Sequence, residues 1–229
     1  MTQKPTVTIT PETIAATAVR VLEIEGQAVL DMTRAIPADF VAVVELLLTL
    51  KGRVVVSGMG KSGHIGRKIS STLASTGTPS HFVHPAEASH GDLGMVTPED
   101  VCILISNSGE TSELGDLIAH ARRFGIPLIG ISGKADSTLM KAADYRLLLP
   151  PAPEACIIGL APTTSTTLTL ALGDALAIAL MEQRGFVKEQ FRTFHPGGKL
   201  GAQLATVAQL MHGADAPPTV TPATPMGET

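Results

Sequence analysis

Aromatic side chains make up only 3% of this 229-residue chain, which has one tyrosine and no tryptophan. Lysine and arginine form no cluster, and the net charge is −4. A nucleic-acid surface needs basic patches and stacking rings, so DNA and RNA are not expected partners. Cysteine is as rare: Cys102 sits inside an apolar run and Cys156 in a loop, with no secretory signal ahead of them. The pair reads as reduced thiols and points to the cytoplasm. Nor does any apolar stretch reach the ~20 uninterrupted residues of a membrane span. The most apolar segment, residues 168–181, carries Asp174 near its middle and Gly173 beside it, which suits a core or subunit-interface helix.

With 44% hydrophobic and 17% charged residues, the chain has ordinary globular composition, enough for one α/β domain and a tail. Residues 1–9 are polar or extended. Thr10-Pro11-Glu12 then supplies a capping hydroxyl, a first-position proline and an acid, and predicts a helix to about residue 36. Pro37-Ala38-Asp39 opens a second helix that ends at Lys51-Gly52. Apolar, β-branched runs at 53–57, 80–84, 101–106, 128–132 and 145–149 read as strands. Helical patterns at 62–75, 112–124 and 137–143 alternate with them. The third run, Val101-Cys102-Ile103-Leu104-Ile105, shows no polar alternation, as expected of a strand covered on both faces. The pattern predicts an α/β fold with a doubly wound, five-stranded parallel sheet flanked by helices. A proline-rich loop (150–162), the apolar helix and a segment at 191–211 follow. The expected division is an N-terminal segment and helix (1–36), a sheet domain (37–212) and a flexible Pro/Thr/Ala-rich tail (213–229).

The first strand runs into Ser57-Gly58-Met59-Gly60-Lys61-Ser62-Gly63, a glycine turn with a lysine ahead of a helix. Glycines let the backbone approach an anion, and the N–H groups of the helix start point at it. Position 55 is valine, where a nucleotide-triphosphate loop needs glycine, which excludes an ATPase. The spacing of Gly58, Gly60 and Gly63 fits a dinucleotide fingerprint, but the next strand ends in His84 where a ribose-binding acid is required. At the end of the third strand, Ser106-Asn107-Ser108-Gly109-Glu110-Thr111-Ser112 offers the hydroxyls of Ser106, Ser108 and Thr111 and a nest of N–H groups; standing alone it reads as well as a helix N-cap. Ligands of open α/β sheets bind at the carboxyl ends of strands, so two such turns together favour a sugar phosphate.

These segments, with His84-Pro85, Ser89-His90-Gly91-Asp92-Leu93-Gly94-Met95, Leu160-Ala161-Pro162-Thr163-Thr164-Ser165 and His195-Pro196-Gly197-Gly198, resemble the arabinose-5-phosphate isomerases of the sugar isomerase (SIS) superfamily over about residues 10–212. The resemblance implies interconversion of D-arabinose 5-phosphate and D-ribulose 5-phosphate, which supplies the Kdo sugar of lipopolysaccharide. It implies no required cofactor and a homotetramer; many members of the family continue into a pair of CBS domains where this sequence stops, so the expectation is an SIS-only form.

Such an isomerase needs a base, a proton shuttle and a cation near the developing enediolate. Lys61 is the candidate cation, because an ammonium at the positive end of a helix dipole needs an anion beside it. Glu113, in the first turn of the next helix, fits a structural role as well as a catalytic one. Glu154, in the proline-rich loop, would ordinarily be exposed. The resemblance makes both catalytic, together with His195, whose imidazole suits proton transfer near neutrality and could come from a neighbouring subunit. It adds Ser62, Gly77, Thr78, His84 and His90 to the substrate contacts, although Gly77-Thr78 by itself fits an ordinary helix C-cap. It also implies inhibitory zinc at His84. His81 and His84 cannot chelate together on a strand, where residues three apart face opposite sides. Two rivals remain: an isomerase of another sugar phosphate, and a regulatory module that binds without turnover.

Overall fold

The computed structural model describes residues 9–195. The expected tail, the Pro196-Gly197-Gly198 turn and most of residues 1–9 lie outside these. A first compact unit runs through Phe186; Val187–His195 belongs to a second.

Helix α1 (Pro11–Arg34) opens as its sequence predicts. The Thr10 hydroxyl accepts from the Thr13 N–H at 3.3 Å and the Thr13 hydroxyl from the Thr10 N–H at 3.0 Å, a reciprocal cap. Helix α2 (Phe40–Leu48) follows, but Asp39 does not cap it. Its carboxylate instead accepts from the Arg146 N–H at 2.7 Å. Five parallel strands come next: β1 (Val54–Gly58), β2 (Ser80–Phe82), β3 (Val101–Ile105), β4 (Leu128–Ser132) and β5 (Tyr145–Leu148), in the order β2-β1-β3-β4-β5. Val56 lies between Phe82 and Ile103, which fixes the register at the centre. The connecting helices are α3 (Gly60–Ser75), α4 (Pro85–Ala88), α5 (Gly115–Phe124), α6 (Thr138–Ala142) and α7 (Thr164–Gln183), with α8 (Lys188–Phe194) in the second unit.

Strand β2 ends two residues earlier than expected, because His84 leaves the ladder in extended conformation to start α4 and Pro85 has no N–H to continue it. The helix after the serine turn begins as a 3-10 turn (Ser112–Leu114), closed by Leu114 N–H to Thr111 C=O.

Alternate strand residues feed two cores. Val54, Val56, Ile103, Ile105, Ile129 and Ile131 face α1, α2, α3 and α7, while Val55, Cys102, Leu104 and Leu128 face α5 and α6. Helix α1 packs on α7 and joins the first of these cores through Ala28 and Met32. Helix α7 is long and apolar enough to cross a membrane, yet its buried residues, Leu168, Leu172, Leu176 and Leu180 among them, pack into this core. Gly173 abuts Ile69, and a Cβ there would come within 2.4 Å of it. Helices α3 and α7 thus run side by side in the same direction, with both N-termini at the carboxyl edge of the sheet.

At the opposite, amino edge, Arg184 closes the fold. Its guanidinium donates to the carbonyls of Gly77 and Leu47, each at 2.8 Å, and to the Thr78 hydroxyl at 2.6 Å. Burial lowers its pKa, but the group remains a cation. Arg184→Ala is expected to cost about 2 kcal/mol of stability, because charge-assisted bonds are lost and three acceptors are left unpaired. Urea unfolding measures this, and an unchanged midpoint would contradict the clamp.

Candidate active site

The strand order reverses between β1 and β3, so their turns emerge side by side at the carboxyl edge and open the crevice in which ligands of open α/β sheets bind. The β1 turn feeds α3 through Met59, which offers no side-chain acceptor to the first turn of the helix. Helices α1 and α7 both receive such caps, from Thr10 and Glu154. The N–H groups of Gly60, Lys61 and Ser62 are therefore presented to the crevice. Gly63 and Gly66 bring α3 down on the sheet, where their Cβ positions would meet the Gly58 carbonyl and Val56. Lys61 is exposed in the first turn of α3, and its ammonium has no hydrogen-bond or ion-pair partner among the described residues. Ser62 stands next to it, half-buried.

The β3 turn is a closed cluster of hydroxyls. Ser106 Oγ is 2.7 Å from Thr111 Oγ1 and 3.4 Å from Ser108 Oγ. The Gly109 N–H donates to Ser106 Oγ at 3.0 Å and the Glu110 N–H to Ser108 Oγ at 3.2 Å. Gly109 adopts φ +68, which this tight turn requires. Glu113 follows, exposed on the 3-10 turn, where among the described residues its carboxylate accepts only from the neighbouring Ser112 hydroxyl, at 3.1 Å.

Glu154 is half-buried, not exposed as a loop acid ordinarily is. Its Oε2 accepts from the Thr163 N–H at 2.7 Å, the Thr163 hydroxyl at 3.1 Å and the Ser165 N–H at 3.3 Å, which places it on the N-terminus of α7. Burial alone would raise its pKa, but the donors of Ser165 and Thr163 outweigh burial and hold it below the ordinary carboxylate value. Glu154 is thus a fixed anion at the same edge as Lys61. Since its pKa is lower folded than unfolded, the stability it adds is complete above the unfolded value and lost as the pH falls through the folded one. Glu154→Gln should lower the melting temperature at pH 7, and the gap to wild type should close below about pH 4. A gap that persists there would refute the assignment.

His84 and His90 follow β2 toward the same edge. His84 Nδ1 and both ring nitrogens of His81 are buried without a partner among the described residues, and burial lowers the His81 pKa. Among those residues no group of three or more His, Cys, Asp or Glu is arranged to hold a metal. Gly77 and Thr78 lie elsewhere. They precede β2 at the amino edge, bound by Arg184, and the protomer does not bring them to the crevice. In the second unit, His195 Nδ1 lies 2.8 Å from the Phe191 carbonyl and its ring stacks on Phe191 at 3.9 Å. A carbonyl only accepts, so Nδ1 carries a hydrogen, and in the neutral ring Nε2 is the nitrogen with the lone pair. Sequence reasoning gave no role to Thr163 or Thr138, which bind the two carboxylates Glu154 and Glu110; a hydroxyl near a helix start was the only local signal.

The fold and crevice define a doubly wound parallel α/β protein with an uncapped helix N-terminus and a hydroxyl turn at its switch point. The SIS domain family model matches residues 47–179, and the chain belongs to that family. It is 54% identical over 201 residues to the arabinose 5-phosphate isomerase KdsD of Shigella flexneri, with 87% of this chain aligned. It is 55% identical over 204 residues to the KdsD of Pseudomonas aeruginosa, with 89% aligned. The chain spans 61% and 63% of the lengths of these relatives. Among solved structures, Escherichia coli CFT073 c3406 in complex with A5P superposes with a TM-score of 0.79 at 40% identity, covering 82% of this chain and all of the other.

Proposed function

We propose that the chain interconverts D-arabinose 5-phosphate and D-ribulose 5-phosphate through an enediol intermediate. The observation that carries this reading is the uncapped start of α3, with Lys61 unpaired among the described residues, beside the Ser106, Ser108 and Thr111 hydroxyls. The identity to the KdsD proteins and the likeness to the A5P complex support it.

In this mechanism the N–H groups of α3 and the hydroxyl turn hold the phosphate, together with Ser62. The Lys61 ammonium stabilises the enediolate oxygen as charge develops. Glu113 is the carboxylate that moves the proton between adjacent carbons, with the His195 of a neighbouring subunit as its partner through Nε2. Glu154, ionised on α7, serves as a fixed charge that orients the cationic groups and not as an acid. His84 and His90 complete the sugar contacts, and zinc binding at His84 would inhibit without serving the reaction. Gly77 and Thr78 would contribute through another protomer's site, since their own lies at the far edge of the sheet.

The reading includes a homotetramer, supported by apolar side chains left in solvent on α1 and the loop before α7: Ile14 is 62% exposed, Leu22 69%, Ile157 94% and Leu160 79%. It also includes a cytoplasmic place in Kdo and lipopolysaccharide synthesis. The test is formation of ribulose 5-phosphate from arabinose 5-phosphate by the purified chain. Absence of turnover on this and on other five- and six-carbon sugar phosphates, with saturable binding retained, would replace the isomerase by a binding-only module.

A further inference from the structure

An acid stands inside the hydroxyl turn itself. Glu110 directly follows Gly109, and an ionised carboxylate there would oppose a phosphate at Ser106, Ser108 and Thr111. The fold takes it away. One oxygen of Glu110 accepts from the Thr138 N–H at 2.8 Å and the other from the Thr138 hydroxyl at 2.7 Å. The same side of the turn is fastened to the β4–α6 segment at three further points. The Leu139 N–H donates to the Gly109 carbonyl at 3.0 Å, and the Asn107 carbonyl accepts from the Gly133 N–H at 3.1 Å and the Ser132 hydroxyl at 3.2 Å. Gly109 lies so close that a Cβ on it would come 2.0 Å from Ser137 Oγ. The Glu110 carboxylate and the Asn107 and Gly109 carbonyls are thus spent on α6 and its loop, while the Ser106, Ser108 and Thr111 hydroxyls bond, among the described residues, to one another and to the turn's own N–H groups.

We propose that Glu110 is a positioning residue of the phosphate turn, its carboxylate bound by Thr138 so that the turn is locked and its negative charge is withheld from the anion. This rests on the reading of the turn as a phosphate cradle. The hydrogen bonds from Thr138 also keep the Glu110 pKa below the ordinary carboxylate value, so the group to be withheld is a full charge.

Thr138→Pro tests this, because it deletes both donors at a position that accepts proline. Thr138 is the first residue of α6, and Ser137 before it already has the extended conformation, φ −72 and ψ 162, that a following proline demands. Released beside the cradle, Glu110 should raise KM for arabinose 5-phosphate about tenfold, with kcat held within about threefold and the effect weakened by salt. Adding Glu110→Gln removes the charge and should return KM to within about threefold of wild type. A purely structural contact would give a double variant no better than the single one. An unchanged KM in Thr138→Pro, or no recovery on adding Glu110→Gln, would overturn the proposal. Should proline unfold the chain, Thr138→Val removes one donor and repeats the test at about threefold, again reversed by Glu110→Gln. Inorganic phosphate, titrated against the melting temperature of each variant, should follow the same order without any turnover. An inactive wild type that still binds phosphate in this order would overturn the isomerase and uphold Glu110; active enzymes with equal phosphate affinity would do the reverse.

Discussion

Lys61→Ala is expected to lower kcat for arabinose 5-phosphate isomerisation by roughly 10²–10³-fold, the usual loss when one preorganised group facing a developing oxyanion is removed. The ammonium sits in the first turn of α3, where the dipole raises the cost of a positive charge, and no described side chain offsets that cost. An enediolate intermediate, more anionic than the bound sugar at the reacting oxygen, gains more from Lys61 than the ground state does, so the loss falls on kcat. If Lys61 held only the phosphate, KM would rise and kcat would stay. Because Lys61 is exposed and its ammonium has no hydrogen-bond or ion-pair partner among the described residues, the variant should melt with the wild type. Steady-state kinetics decide between these outcomes, and a kcat within a few-fold of wild type would remove Lys61 from the chemistry.

Gly63→Ala is expected to destabilise the chain by about 3 kcal/mol, the upper range for an overpacked site, and to lose most activity. The added Cβ would lie 2.4 Å from the Gly58 carbonyl oxygen and 3.2 Å from its carbon. These are backbone atoms at the end of β1, paired with Ile105 of β3, so they cannot swing aside as a side chain would. Helix α3 must lift from the sheet, and the N–H groups of its first turn leave the crevice. Gly60→Ala is the control. Gly60 has φ +57 but open space around it, so the cost there is conformational strain of about 1–2 kcal/mol with no displacement of α3. Denaturant unfolding and turnover of the two variants separate the effects; a Gly63→Ala protein as stable as Gly60→Ala would refute the close approach.

The central strands β1, β3 and β4 were legible within one residue because burial on both faces demands uninterrupted β-branched and aliphatic runs, as in Val101-Cys102-Ile103-Leu104-Ile105. The start of α1 was legible for a similarly local reason, since Thr10, Pro11 and Thr13 act within a single turn. Helix starts governed by distant partners were not. Asp39 looks like a cap for α2 but serves the Arg146 N–H on β5, 107 residues away. Ser112 and Glu113 suggest an α-helical start, yet the hydroxyl cluster next to them tightens the first turn into 3-10 geometry.

The carboxylates divide the two levels of information most clearly. The sequence by itself determined a parallel α/β sheet and two anion-ready turns, because glycine spacing, hydroxyl content and strand hydrophobicity act over a few residues. It also placed Lys61 in the first of those turns. Which acids stay free for chemistry was decided only by the tertiary structure. Glu110 is bound by Thr138, 28 residues on, Glu154 by the N-terminus of α7, and Glu113 meets only Ser112 among the described residues. A carboxylate's charge state and reach depend on which donors the fold brings to it, and those donors come from other elements of the chain.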